Sequence, residues 1–223
     1  MKTVVAVYTG QGLIDSIKQA FRELLPDCRL VNILDDSIIH DVMKAGAITP
    51  AVSKRLLQYY TQAEEMGADA ILNTCSSVGE IADRARSFIR IPIVKIDEKM
   101  AEHAASRYKN IGVIATLSST LAPTMRLINA TAAQLGREVI LVDGLAEGAY
   151  DALVNGNAEE HDRFIEETAH RIADRADAFV LAQGSMARME EQLSRSTGKP
   201  VLSSLHLGVN HVKSLFEQTA GSR

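Results

Sequence analysis

The sequence predicts an α/β protein built as two pseudo-symmetric parallel-sheet domains from an internal duplication. Three observations predict this. Two stretches match at a fixed offset, short apolar runs alternate with amphipathic segments, and loops rich in Gly, Ser and Thr follow those runs directly.

The repeat fixes the architecture. Ala68–Ser77 (ADAILNTCSS) aligns with Ala176–Ser185 (ADAFVLAQGS) at an offset of 108, and the same offset carries Ile91-Pro92-Ile93-Val94 onto Lys199-Pro200-Val201-Leu202. Val4–Thr9 resembles Ile111–Thr116 at 107, and Asp41–Gly46 resembles Asp151–Gly156 at 110. Within each half the order is strand, loop, helix, strand, helices, strand, loop, short helix, strand, which describes a parallel sheet layered with helices. Thr49-Pro50 places an N-cap before a proline at the first helical position, and the helix is expected through Ser53 to Met66, stopping at Gly67. Its counterpart is expected from about Ala158 to Arg175, and Gly136 should end the helix whose apolar face is Met125–Leu135.

Composition excludes several classes. A chain of 223 residues, 46% hydrophobic, can bury a core and build one or two compact units. Net charge is -4 and no block of Lys and Arg occurs, so nucleic acid is not an expected partner. The longest apolar runs, such as Val4–Tyr8 and Ala178–Ala182, fall far short of the roughly 20 residues that span a bilayer. The amino-terminal MKTVVAVYTG is too short a run for a signal peptide, so no membrane association and a cytoplasmic location are expected. Two cysteines, Cys28 and Cys75, argue against a disulfide framework and allow a free reactive thiol. His40, His103, His161, His170 and His211 have no metal-like spacing with Cys75, so no metal site is expected. TGQGLIDS lacks the third glycine of a dinucleotide fingerprint, GxxxxGK[ST] is absent, and no cofactor is expected.

In parallel α/β sheets ligands bind beyond the carboxyl ends of the strands, where loops and helix N-termini present free N–H groups. Four loops qualify: Thr9-Gly10-Gln11-Gly12, Thr74-Cys75-Ser76-Ser77, Thr116-Leu117-Ser118-Ser119-Thr120 and Gln183-Gly184-Ser185. They can offer several neutral donors to a carboxylate. The active site is expected in the cleft between the domains, where equivalent loops converge. Cys75 is the sharpest candidate, because a thiol at a strand end beside a helix N-terminus is expected to ionise below the free value of about 8.5. A free cysteine is also commonly a small buried hydrophobe; position in a repeated strand-end loop tips the reading toward function. Cys28, at the start of a strand, reads as structural. Met186 and Met189 read as core, Arg188 faces an anion or solvent, and His206 and Glu98 read as surface residues able to border the cleft.

ILNTCSSVGE and VLAQGSMARM, with GVIATLSSTLAPT between them, resemble the aspartate/glutamate/hydantoin racemase superfamily over nearly the whole chain. The resemblance implies two interleaved domains, the last strand and helix returning to the first, with expected boundaries 1-96 plus 204-223 and 97-203. It implies a substrate carbon between two strand-end positions, commonly both cysteine. Cys75 matches the first and Gln183, which is neither acid nor base, stands at the second. It further implies carboxylate binding by Ser76, Ser77, Gly184 and Ser185 and by Thr116, Ser119 and Thr120. Gly10 and Gln11 stand where glutamate racemases carry an acidic residue and a serine. The implied activity is a cofactor-independent racemase or isomerase acting on a small carboxylate, amino acid or hydantoin-like compound. The alternatives are a one-cysteine decarboxylase of a small dicarboxylate and a non-catalytic small-acid binding protein. A homo-oligomer is expected.

Overall fold

The computed structural model describes residues 1–221, with side chains through Gln218. The chain divides into two compact units, Met1–Ile96 with the chain from Leu205 onward, and Asp97–Ser204.

The first unit runs β1 (Lys2–Tyr8), α1 (Ile14–Leu24), β2 (Cys28–Leu34), α2 (Ser37–Ala45), α3 (Pro50–Glu65), β3 (Ala70–Asn73), α4 (Gly79–Ala85) and β4 (Ile93–Lys95). Its sheet is parallel throughout, in the order β2-β1-β3-β4. Central β3 is buried at every residue, as a strand covered on both faces must be, whereas edge strand β2 alternates between half-buried and exposed positions. Helix α3 begins where the sequence placed it: the Thr49 hydroxyl accepts from Val52 N–H at 3.2 Å and Pro50 occupies the first turn. Its Val52, Leu56, Tyr60 and Ala63 recur on one face and join Val5, Val7, Ile71 and Ile81 in the core. Gly67, with φ +75°, then turns the chain into β3.

The second unit runs α5 (Glu98–Arg107), β5 (Asn110–Ala115), α6 (Ser118–Gln134), β6 (Ile140–Leu145), α7 (Ala149–Val154), α8 (Ala158–Ile172), β7 (Ala178–Leu181), α9 (Glu190–Thr197) and β8 (Val201–Ser203). Its sheet is parallel in the order β6-β5-β7-β8, the same order as the first. Helix α8 with the 3-10 turn Ala173–Arg175 fills the expected 158–175 segment, and Gly136 (φ +65°) follows α6. The closing helix α10 (Ser204–Gly221) belongs almost wholly to the first unit.

The duplication extends to single hydrogen bonds. Ile71 N–H donates to Pro92 O and Phe179 N–H to Pro200 O, both at 2.8 Å. The Asp69 carboxylate accepts from Thr3 N–H and that of Asp177 from Asn110 N–H, again both at 2.8 Å. One expectation fails: the last strand does not return to the first sheet. β8 pairs with β7. A three-residue parallel strand needs its neighbour's ladder at once, and Val201 lies in register with Phe179, so only α10 crosses back.

Candidate active site

Each unit brings the end of its first strand beside the end of its third. In the first, Thr74 is tied to β1 by two bonds to Val7 O, its N–H at 3.2 Å and its hydroxyl at 3.0 Å. Cys75 follows in extended conformation (φ -123°, ψ 116°) and leads into a 3-10 turn, Ser76–Val78, and then α4. In the second, Ala182 N–H donates to Ile114 O at 2.9 Å. Gln183 follows with φ -122° and ψ 134° and leads into the 3-10 turn Gly184–Met189 and α9. The backbone gives Cys75 and Gln183 the same place in their units.

Cys75 is half-buried against the first core. Burial pushes its thiol above the ordinary value, and this outweighs hydrogen bonds to sulfur from the Thr9 hydroxyl, the Ser77 N–H and hydroxyl and the Val78 N–H, all of which pull it down. The expected low-pKa thiol is therefore corrected. A three-residue turn and the seven-residue α4 supply too few aligned peptides to overcome desolvation. Cys28 sits at the opposite, amino end of the sheet, paired in register with Lys2.

Gln183 takes up its position differently. Its Oε1 accepts from Thr116 N–H at 2.8 Å and its Nε2 donates to the Thr116 hydroxyl at 2.7 Å. Thr116 and Thr9 correspond at the repeat offset of 107, so each unit pairs a threonine just past its first strand with the residue, Gln183 or Cys75, that lies just past its third. Thr9 opens the first of the four expected loops, and the repeat pairs it with Thr116.

Ser77, Thr116 and Thr120 are buried, while Ser76, Ser119, Gly184 and Ser185 are half-buried. Ser119 and Thr120 lie in the first turn of the 17-residue α6, whose leading N–H groups have no acceptor within the helix. The buried Ser119 Oγ has no hydrogen-bond partner. Gly10 precedes a 3-10 turn, and the Gln11 amide donates to Asp36 at 2.7 Å. Asp35 beside it accepts from the Ser37 hydroxyl, Tyr59 and Arg55. Burial would raise the Asp35 carboxyl, but these donors and the Arg55 charge hold it below its ordinary value.

Other candidates separate from the strand ends. Arg188 is exposed and forms a bidentate ion pair with Asp162, Met186 and Met189 are fully buried, and His206 is exposed. The groove of about 790 Å³ along α3, bounded by Ile48, Leu57 and Arg84, includes none of the strand-end residues. Among the described residues no cluster of three or more His, Cys, Asp or Glu could hold a metal, and no helix is long and apolar enough to cross a membrane.

The family model for Asp/Glu/Hydantoin racemase matches residues 3–212. The chain belongs to that family. Allantoin racemase from Klebsiella pneumoniae is similar in fold, with a TM-score of 0.71 at 18% identity, covering 98% of this chain and 89% of the other. Glutamate racemase from Francisella tularensis, in complex with D-glutamate, has a TM-score of 0.75 at 15% identity over 98% and 82%. A variant of arylmalonate decarboxylase gives 0.59 at 14% over 96% and 92%. At such identities the likeness establishes the racemase-family fold. No curated protein sequence matches this chain.

Proposed function

We propose that this chain is a cofactor-independent racemase or isomerase of a small carboxylate, amino acid or hydantoin-like compound, with Cys75 as its proton carrier. The observation that carries the reading is the placement of Cys75: a thiol in extended backbone just past β3, leading into the Ser76–Val78 turn, at the place Gln183 takes in the second unit. A group so placed can exchange a proton with carbon alpha to a carboxylate. Ser76 and Ser77, Thr116, Ser119, Thr120, Gly184 and Ser185, together with Gly10 and Gln11, are the substrate-binding residues of this reading. Such donors stabilise charge developing on enediolate oxygens, commonly the largest catalytic contribution. Family membership supports the reaction class.

A second reading has its own support. Gln183 cannot carry a proton and both ends of its amide are bonded to Thr116, which favours chemistry needing one thiol. Loss of carbon dioxide from a small dicarboxylate generates an enediolate that Cys75 alone protonates.

Proton exchange in deuterated water, across amino acids, hydantoins and dicarboxylates, tests both readings. Cys75→Ser should cut exchange at least about 100-fold while leaving the fold intact, because a hydroxyl is a far weaker acid than a thiol. Cys28→Ser should stay within about twofold, since its thiol lies at the other end of the sheet. Equal losses from both would overturn the assignment. Product without carbon-bound exchange into the starting acid would select the decarboxylase.

A further inference from the structure

We propose that Asn73 and Tyr60 are positioning residues for the Cys75 thiol, acting through the Cys75 carbonyl to reserve the Val78 N–H for sulfur. The proposal rests on Cys75 being the proton carrier.

The Tyr60 hydroxyl donates to Asn73 Oδ1 at 3.0 Å, and Asn73 Nδ2 donates to Cys75 O at 3.0 Å. A carbonyl can only accept, which fixes the Asn73 amide with nitrogen toward Cys75 and oxygen toward Tyr60. Tyr60 is fully buried and Asn73 is 1% exposed, at the end of a central strand where apolar residues are the inexpensive choice. The second unit makes that choice: at the repeat offset of 108, Leu181 corresponds to Asn73 and Thr168 to Tyr60. The buried polar chain thus exists only in the unit that carries the cysteine.

The turns of the two units differ. Where no amide tethers the carbonyl, Met186 N–H donates to Gln183 O at 3.0 Å, an ordinary 3-10 closure. In the cysteine unit the equivalent bond, Val78 N–H to Cys75 O, is longer, at 3.4 Å, and the Val78 N–H is one of the groups that pull the Cys75 thiol down. With one of its two lone pairs held by Asn73, the carbonyl is fixed in place and makes a longer bond to Val78, whose N–H is then less committed to oxygen and can favour negative charge on Cys75.

The test is the pH dependence of Cys75 alkylation by iodoacetamide, followed by mass spectrometry of the whole chain carrying Cys28→Ser. Asn73→Leu, which installs the second unit's residue, should shift the thiol midpoint upward by about one pH unit and slow alkylation at neutral pH about tenfold. Tyr60→Phe, nearly isosteric, should shift it the same way by about a third as much in rate, since one bond of the chain remains. Val52→Ala, a core truncation on the same helix with no part in the chain, should lower thermal stability and leave the midpoint unchanged. Midpoints in both chain variants equal to the parent's would overturn the proposal, as would an equal shift in Val52→Ala. If Asn73→Leu does not fold, Tyr60→Phe decides alone. Alkylation requires no substrate, so a Cys75→Ser variant that retains turnover would sink the catalytic reading while leaving this positioning test readable.

Discussion

Replacing Gln183 by leucine separates a structural strut from an idle surface amide. Leucine is one bond shorter than glutamine but of similar bulk, and the substitution removes both bonds to Thr116, at 2.8 and 2.7 Å. Thr116 is only 7% exposed, so its N–H loses its acceptor with little access to water. An orphaned buried donor costs about 1–3 kcal/mol, and the hydroxyl, which can rotate to another partner, adds about 0.5 kcal/mol. The expected loss is about 1.5–3.5 kcal/mol, or roughly 3–14 °C in midpoint for a chain of this size. Gln183→Glu supplies the control: its carboxylate still accepts from the Thr116 N–H and from the hydroxyl turned as donor, so stability at neutral pH should stay within about 1 kcal/mol of the parent. Thermal unfolding by circular dichroism reads both variants. A leucine variant as stable as the parent would show that the bonds to Thr116 contribute nothing.

Three further outcomes are expected. Cys75 should alkylate slowly at neutral pH and speed up through a midpoint above the free-thiol value of about 8.5, because burial holds the proton on sulfur; a midpoint below that value would reverse the electrostatic reading. Asp35 is held below its unfolded value, so its stabilisation is complete above about pH 4 and is lost as pH falls through the folded value. Asp35→Asn should therefore flatten acid unfolding in that window, and parallel curves for parent and variant would refute the network's role. A methyl group on Gly208 would lie 2.6 Å from Ile96 O and 2.9 Å from Ile96 Cα, where backbone cannot yield cheaply, so Gly208→Ala should destabilise by about 1–3 kcal/mol in a denaturant titration.

The fold was legible because its signals are local and repeated. The same ADA leads into both β3 and β7, Thr49-Pro50 and Gly67 delimit α3, and one offset aligns the halves. The position of Cys75 was equally legible, since a strand end follows from the apolar run before it. Its ionisation was not. That depends on how many atoms enclose sulfur against how many donors reach it, a balance between Thr9, Ser77, Val78 and burial that spacing alone does not carry. Asn73 reads in sequence as the last residue of a strand and Tyr60 as an aromatic on a helix face. Their bond links residues 13 apart through the core. The place of the last strand has a similar origin: β8 pairs with β7 and α10 joins the first unit, yet α10 follows β8 directly, with no loop in the sequence to mark the crossing.

The two halves keep one frame and differ in what it presents, which makes Gln183→Cys the informative exchange. In the first unit a threonine hydroxyl meets a thiol, and in the second a threonine meets an amide at the matching backbone position. A thiol introduced at position 183 would stand to Thr116 as Cys75 stands to Thr9. The Thr116 N–H would lose its acceptor, costing about 1–3 kcal/mol, so folding must be checked first. Cys75 is protonated at neutral pH under the reading above and is better suited to delivering a proton than to removing one; removal needs thiolate, of which an ordinary cysteine has only a few per cent at about pH 7. Racemisation needs a base and an acid on opposite faces of carbon, and one thiol serves one face. If the family's two-position chemistry is latent in this frame, Gln183→Cys should raise racemisation relative to exchange by at least about tenfold on whichever substrate the parent exchanges. Chiral chromatography of product from single enantiomers in deuterated water measures both quantities together. Exchange and racemisation that fall in parallel would mean that the Gln183 amide is part of the working site, and that the parent's chemistry depends on Cys75 alone.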